Sequence, residues 1–353
     1  VGSGNEETIF DNLPYDFAAY AEHLESDEWQ EKLIDLQTSL DSVVDAYPNA
    51  TEVLHEAQQT LRKVRNLIDQ LEKDASGLSQ EDKVDLTYRL QVKEEQLQQV
   101  SLQSSGVTFT LVPEHGQLTR GATTEVTLTV TNNGFETLSE ITVEPVIPDG
   151  WEVVNSQPIR DVQPGETITT TFTINVTQSA ALFLPYEQPD LQAKISYQLL
   201  EVPLEQTISP VDSVAVLPDF GLQISPEGAI LNTEKSEQEI PVDVKVTNYV
   251  DGVNEGQIRL NVPDGWTVQP EVADVSFSAQ GQSETVSFVV HPASDSEPGN
   301  YVFDVVVESD QGGSSTQVQP IEYDHIGHSY WLKDGKFMIS AFPLKTMDDL
   351  KVG

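Results

Sequence analysis

Histidine is the first residue type to consider for chemistry, because the chain has six of them and no cysteine. The lack of cysteine excludes disulfides, thiolate zinc sites and cysteine nucleophiles. One segment brings two histidines close to a carboxylate, Asp324-His325-Ile-Gly-His328. Histidines three residues apart could share a metal ion on a helix, but on a strand they point to opposite faces. The neighbours Tyr323 and Ile326 favour a strand, so we predict no metal site.

Other catalytic signatures are missing from the sequence. No Gly-x-Ser-x-Gly elbow presents a serine nucleophile, and no glycine-rich loop has the spacing that holds phosphates. Acidic residues are so abundant that a pair of carboxylates carries no information, and no run alternates them as a calcium loop requires. We therefore predict that this chain has no catalytic residue, no cofactor and no bound metal.

The charge balance restricts the class of partner. The chain has 58 acidic and 18 basic residues and a formal charge of −40. Such a surface repels phosphates and anionic lipids, so we predict no nucleic-acid partner. No stretch approaches the roughly 18 apolar residues of a membrane span, so we predict no membrane insertion. Because the Debye length falls to ~3 Å in 1 M salt, the charge favours a halophilic source, with an ordinary acidic secreted protein as the alternative.

The first hundred residues have the apolar spacing of helices. Large apolar residues recur every three or four positions from Trp29 to Tyr47, and again from Val53 to Leu71. Asn49 is a candidate N-cap for the second of these helices, and Ser79-Gln-Glu-Asp82 starts a third with acids in its first turn. We predict a helical hairpin or three-helix bundle over residues 1–104.

From residue 105 the sequence changes to alternating Thr and Val, with turn residues at regular intervals. This pattern is typical of an antiparallel β-sandwich. The region also repeats itself. Val130-Thr-Asn132 precedes Pro148-Asp-Gly-Trp151, and Val246-Thr-Asn248 precedes Pro263-Asp-Gly-Trp266 at nearly the same spacing. We predict an α+β multidomain chain in which two tandem Ig-like β-sandwiches, residues 105–217 and 218–322, follow the helices.

The repeated tryptophan has two interpretations. Pro-Asp-Gly forms a turn, since Pro fixes φ and Gly supplies a positive φ, and the next residue then enters a strand. Because Trp151 and Trp266 hold the same place in both copies, we predict that their rings lie in the cores. The alternative is an exposed ring that stacks on a sugar.

Two further segments lack the sandwich pattern. The apolar stretch 180–189, which has no counterpart in the second copy, is either a local lid on the core or a docking surface. Residues 323–353 are expected to be a strand-rich connector that leads to a missing domain. Four aromatic residues in these segments are our predicted interface residues: Phe183, Tyr186, Tyr330 and Trp331.

The order of these elements resembles the non-catalytic region of large secreted PIG-L (LmbE-like) deacetylases. The resemblance rests on Ile9-Phe-Asp11, Tyr88-Arg-Leu-Gln-Val-Lys-Glu-Glu95, the Pro-Asp-Gly-Trp sandwiches, Phe183-Leu-Pro-Tyr186 and Ile321-Glu-Tyr-Asp-His325 with Asp349-Leu-Lys-Val352. It implies a helical stretch and Ig-like domains of the type associated with α-galactosidases, following a zinc-dependent catalytic domain. The His-Pro-Asp-Asp zinc motif of that domain is absent, since His291-Pro-Ala-Ser lacks both acids.

Two classes of function follow from the sequence. The first is an extracytoplasmic, non-catalytic accessory region that docks or spaces the catalytic domain of a PIG-L family N-acetylglucosaminyl-type deacetylase. The second is a cell-surface or S-layer-associated structural or carbohydrate-binding Ig-like module. The expected partners are accordingly the chain's own missing catalytic domain or a surface polysaccharide.

Overall fold

Four helices precede twenty-one strands in the part of the chain that the computed structural model describes, which comprises residues 14–73, 78–156, 158–185, 190–210, 212–235, 238–310, 312–323 and 327–345. The predicted order of a helical region followed by β-sandwiches is confirmed. The helices are α1 (Phe17–Ala21), α2 (Asp27–Asp45), α3 (Ala50–Lys73) and α4 (Gln80–Ser105). No helix of these described residues is long and apolar enough to cross a bilayer.

Side-chain caps set the starts of the helices. Asn49 Oδ1 accepts a hydrogen bond from Glu52 N at 3.4 Å, and Ser79 Oγ accepts one from Asp82 N at 3.0 Å, as the sequence predicted. Each cap satisfies a backbone N–H that has no partner inside its helix. Helix α3 packs against both α2 and α4. Ion pairs tie it to both neighbours, Lys63 to Asp35 at 2.6 Å and Arg65 to Glu94 at 2.7 Å.

The first sandwich begins where α4 ends. Its strands are β1 (Val107–Pro113), β2 (Gln117–Leu118), β3 (Thr123–Asn132), β4 (Ser139–Val146), β5 (Trp151–Ser156), β6 (Thr167–Val176), β7 (Gln192–Leu199), β8 (Val202–Ile208) and β9 (Ala215–Val216). One sheet has the order β1-β3-β6-β5 and the other β4-β7-β8, while β2 and β9 form a separate parallel pair. Buried and less buried residues alternate along β3 and β7, because successive side chains point to opposite faces of a strand.

The second sandwich repeats this plan with additional strands. Its strands are β10 (Phe220–Ser225), β11 (Gly228–Asn232), β12 (Ile240–Asn248), β13 (Asn254–Asn261), β14 (Thr267–Gln269), β15 (Ala273–Phe277), β16 (Ser283–His291), β17 (Gly299–Ser309), β18 (Gly312–Ser314), β19 (Thr316–Tyr323), β20 (Gly327–Asp334) and β21 (Lys336–Phe342). One sheet has the order β14-β16-β12-β10-β19-β20 and the other β11-β21-β17-β13-β15, with β18 paired to β17.

Residues 323–353 were expected to be a strand-rich connector, and the structure places residues 327–342 as strands of the second sandwich, while the domain that was expected to follow stays a prediction. Strand β20 pairs with β19 in one sheet of the second sandwich, and β21 lies between β11 and β17 in the other. The physical reason is the alternation along β21, where Phe337, Ile339 and Ala341 are buried in the core. This part of the chain therefore completes the second sandwich, and residues 346–353 lie outside the described residues.

The helices and the first sandwich share one continuous apolar core, whereas the second sandwich has a core of its own. Helix α4 passes into β1 through Gly106 alone, which caps the helix at φ +71°. Gly134 lies against this link, where a Cβ atom would come within 1.8 Å of Ser105 O. Arg65 Nη1 also donates to Pro203 O, at 2.6 Å, and so joins α3 to β8. The helical region is thus fixed to the first sandwich by both chain continuity and packing.

Candidate functional site: the junction of the two sandwiches

The repeated tryptophans are core residues, as predicted. Trp151 is 8% exposed and Trp266 is 6% exposed, so neither ring can stack on a sugar. The preceding turns have the expected geometry, with Gly150 at φ +81° and Gly265 at φ +82°. Sugar binding by these two rings is therefore excluded.

The histidine segment offers no metal site within the described residues. Asp324 and His325 lie outside those residues, so their part of the hypothesis stays untested. His328 lies on β20 with an exposed side chain, and its Nδ1 is 3.5 Å from Glu322 Oε1. No group of three or more metal-binding side chains occurs in the part of the chain that is described.

Two of the four predicted interface residues meet where the sandwiches join. Phe183, from the apolar stretch of the first sandwich, packs edge-to-face on Tyr330 of β20, with ring centroids 6.1 Å apart. Both rings are buried, Phe183 being 7% exposed. Trp331 is 52% exposed and does not belong to this pair. Lys333 Nζ lies over its ring, 5.4 Å from the ring centroid. Tyr186 lies outside the described residues. Whether any of the four contacts a partner outside the chain stays a prediction.

Around this pair lies a small apolar cluster that belongs to neither large core. We call it the junction cluster, and it consists of Phe183, Ala215, Leu217, Tyr249, Val318 and Tyr330. It combines residues of the first sandwich, the segment between the sandwiches and the second sandwich. Gly221 permits the close approach, since a Cβ atom there would lie 2.5 Å from the Tyr249 ring.

Hydrogen bonds surround the junction cluster and fix its orientation. Gln117 Nε2 donates to the Tyr330 hydroxyl at 2.8 Å. Gln280 Nε2 donates to Gln117 O at 3.1 Å and to Tyr249 O at 2.8 Å, so one amide spans both sandwiches. Apolar burial supplies the attraction at the junction, and these directional bonds favour one relative orientation.

The junction tyrosines are neutral at physiological pH. Burial raises the pKa of Tyr249 to about 12, and the nearby Tyr330 adds to that rise. Burial also raises the pKa of Tyr330, although the hydrogen bond from Gln117 partly offsets this. Both hydroxyls therefore act as structural hydrogen-bonding groups. The junction holds aromatic rings and carboxamides, so its geometry supports rigid coupling of the two sandwiches.

A second feature lies in the helical region, between α2 and α4. Helix α4 carries an apolar stripe at Val84, Tyr88, Val92 and Val100 in addition to the stripe that faces α3. Tyr88, Val92 and Val100 of this second stripe border an apolar groove of about 580 Å³. Tyr88 is 67% exposed and Val44, on the α2 side, is 72% exposed. Exposed apolar residues grouped in this way are typical of interaction surfaces.

Comparison with protein families finds a similarity in the β region. Residues 118–198 and 236–309 match the model described as the NPCBM-associated, NEW3 domain of alpha-galactosidase. One matched range lies in each sandwich, so the α-galactosidase-associated part of the resemblance is supported. This family match gives no evidence for a PIG-L deacetylase. A search of curated proteins finds no significant match.

Solved structures add little beyond this. A Caenorhabditis elegans protein, WR4 of the MSP family, is 9% identical, covers 34% of this chain and 97% of its own, and has a TM-score of 0.21. VesC, a secreted serine protease of Vibrio cholerae, is 14% identical over 69% of this chain, with a TM-score of 0.24. The chain spans 54% of VesC. Neither likeness bears on function, whereas the family match supports a non-catalytic β-domain of the NEW3 type in each sandwich.

Proposed function

We propose that the chain is a non-catalytic accessory module of a carbohydrate-active protein. In this proposal the two NEW3-like sandwiches are held rigidly to the helical region and bind polysaccharide. The observation that carries this proposal is the recurrence of the family match in two sandwiches that share a packed junction. A rigid junction lowers the entropy lost when both sandwiches contact one polymer. In this function the module keeps its partner enzyme close to an extracytoplasmic polysaccharide.

Affinity electrophoresis of the full chain through gels that contain soluble polysaccharides tests the proposal. We expect retarded migration in at least one of galactomannan, xylan, glycol-chitin and soluble starch. Phe183→Ala, which weakens the junction cluster, should reduce the retardation while both sandwiches stay folded. The exposed substitution Asp264→Ala is the matched control. Migration that is unchanged in every polysaccharide would refute carbohydrate binding and leave a spacer role.

A second candidate function is the docking of an enzyme domain onto the helical groove. The specific support is the exposed second stripe of α4, which a partner helix could cover. The partner we expect is a catalytic domain of the zinc-dependent PIG-L deacetylase type. Co-purification of such a domain with the chain, lost in Tyr88→Ser/Val92→Ser and kept in the exposed control Gln91→Ser, would support this function. Equal recovery with both variants would contradict it.

The acidic surface bears on the environment in which the module works. With a formal charge of −40, repulsion between surface carboxylates opposes the folded state and is screened by salt. We therefore infer a salt-adapted, extracytoplasmic protein whose melting temperature rises between low and molar NaCl. Thermal melts at 0.05, 0.5 and 2 M NaCl measure this, and a flat or falling trend would contradict salt adaptation.

A further inference from the structure

A polar cleft of about 550 Å³ opens beside the junction cluster, and both sandwiches contribute to it. The first sandwich supplies Arg120 and Gln178, the segment between the sandwiches supplies Asp219, and the second sandwich supplies Asn254 and Thr316. The cleft lies within the range of about 300–1,000 Å³ that is typical of small-molecule sites, and such sites favour domain interfaces.

Hydrogen bonds hold three of the residues that line the cleft. Arg120 Nε donates to Ala180 O at 2.7 Å, which holds the guanidinium on its loop. Tyr249 N donates to Asp219 O at 2.9 Å. Asn254 Nδ2 donates to Asn248 Oδ1 at 2.9 Å, and both of these residues are buried. A ligand would therefore meet fixed polar groups and would not have to order the loops itself.

The charge of the cleft differs from that of the rest of the molecule. Arg120 and Asp219 are the ionisable groups among its described lining residues, so one cation balances one anion. Burial raises the pKa of Asp219, and the positive charge of Arg120 partly offsets that rise. The cleft therefore carries no net formal charge, in a chain with 58 acidic and 18 basic residues.

The remaining lining groups are amides, hydroxyls and short apolar side chains. Gln178 presents an exposed carboxamide, and the hydroxyls of Thr119, Ser314, Ser315 and Thr316 line the cleft, with Ser314 Oγ donating to Phe220 O at 2.7 Å. Leu182 and Val253 add apolar surface, and Val253 is largely exposed. Closely spaced donors and acceptors beside C–H surface, without net charge, match a neutral polyhydroxylated ligand.

We propose that the cleft between the sandwiches is a binding site for a neutral saccharide, with Asp219 and Gln178 as hydrogen-bonding residues. The proposal rests on the proposed carbohydrate-binding function and assigns that function a place. Asp219 accepts hydrogen bonds from ring hydroxyls, and the Gln178 amide both donates and accepts. The saccharide contacts both sandwiches, so an intact junction is a condition for binding.

Ligand-observed NMR with the full chain tests the site. The probes are melibiose, cellobiose, N,N′-diacetylchitobiose and, as an anionic arm, galacturonate. We expect saturation transfer to at least one neutral disaccharide, a Kd raised tenfold or more in both Asp219→Ala and Gln178→Ala, and an unchanged Kd in Asp264→Ala. Thermal melts of the three variants confirm that they are folded.

Three outcomes would overturn the proposal. Binding of a neutral disaccharide that survives both cleft substitutions places the site elsewhere, although the proposed function stands. Binding confined to galacturonate and lost in Arg120→Met assigns the cleft to anionic sugars instead. Absence of transfer to every probe, combined with retardation of the wild type in polysaccharide gels, refutes the cleft alone, whereas absence of both refutes the proposed function as well.

Discussion

The two sandwiches share a repeat but differ in what completes them. The first joins its core to three long helices, and the second is extended by β19, β20 and β21, which follow its repeat along the chain. The junction cluster draws on both, through Phe183 from the first and Tyr330 from the second. The difference teaches that the repeat determines the interior of each sandwich, while the added segments determine which outer surfaces are covered.

The strongest test of this comparison removes the repeated tryptophan from one sandwich at a time. Trp266 packs on Tyr301 and Phe303, with ring centroids 4.9 and 5.3 Å away. Trp266→Ala should cost about 3–5 kcal/mol. Because the second core is separate, the helical signal at 222 nm should melt at the wild-type temperature.

Trp151→Ala is the matched variant, since Trp151 belongs to the core that the helices share. It should lower both the melting temperature of the helices, which is recorded at 222 nm, and the melting temperature of the first sandwich. Calorimetry should resolve two transitions and show which of them each variant moves. An equal effect of both variants on the helical signal would break the distinction between the cores.

A smaller effect is expected from the asparagine that precedes the loop in both copies. Asn132 and Asn248 are fully buried. Asn132 Nδ2 donates to Glu136 O at 2.8 Å and Val162 O at 3.1 Å, and Asn248 Nδ2 donates to Val250 O and Ala279 O at 3.0 Å each. Replacing the donor by a carboxylate leaves these carbonyls unpaired, so Asn132→Asp and Asn248→Asp should each cost about 1–3 kcal/mol or more.

Urea denaturation measures both losses, with Asn155→Asp on the exposed side of β5 as the control. Similar losses in the two copies would sharpen the view that the repeat fixes the interior. A loss in one copy alone would contradict it.

Next in size is the hydrogen bond that crosses the junction. Tyr330→Phe keeps the ring on Phe183 and removes the hydroxyl that accepts from Gln117, so it should cost about 0.5–1.5 kcal/mol. A double-mutant cycle with Gln117→Ala isolates the pair, because its coupling energy excludes other effects of each change. Purely additive losses would mean that the bond does not couple the sandwiches.

The smallest effect concerns Asp219 and depends on pH. Burial raises its folded-state pKa above the unfolded value, so the folded state binds the proton more readily. This contribution favours folding below the unfolded pKa and is lost as pH rises through the folded pKa. Asp219→Asn should therefore stabilise the chain more at pH 7 than at pH 3, as measured by urea midpoints. A larger gain at pH 3 would reverse this assignment.

The sequence predicted those features that local periodicity and repetition encode. The three long helices follow from apolar spacing with the caps Asn49 and Ser79, and the two cores follow from alternation together with Trp151 and Trp266. Residues 327–342 were predicted to be a connector because they follow the repeat along the chain. In the structure they form β20, which pairs with β19, and β21, which pairs with β11 and β17. The alternation of Phe337, Ile339 and Ala341 was the signal available.

The junction could be predicted only in part. Phe183 stood out because its apolar segment occurs in one copy alone. Gln117, Tyr249 and Gln280 gave no such signal, since single polar or aromatic residues in a two-residue strand or a loop have no period and converge from distant parts of the chain. The cleft beside them has the same origin, because its walls are brought together only when the sandwiches dock.

The direct passage from α4 into β1 has a mechanical consequence. Gly106 is the sole residue between them, so a pulling force along α4 reaches β1 without a slack linker. Strand β1 pairs antiparallel with β3 from Val107 to Pro113, and ladder bonds run perpendicular to the strands. A force directed along β1 therefore loads these bonds together in shear, and the bonds do not open one by one as in a zipper.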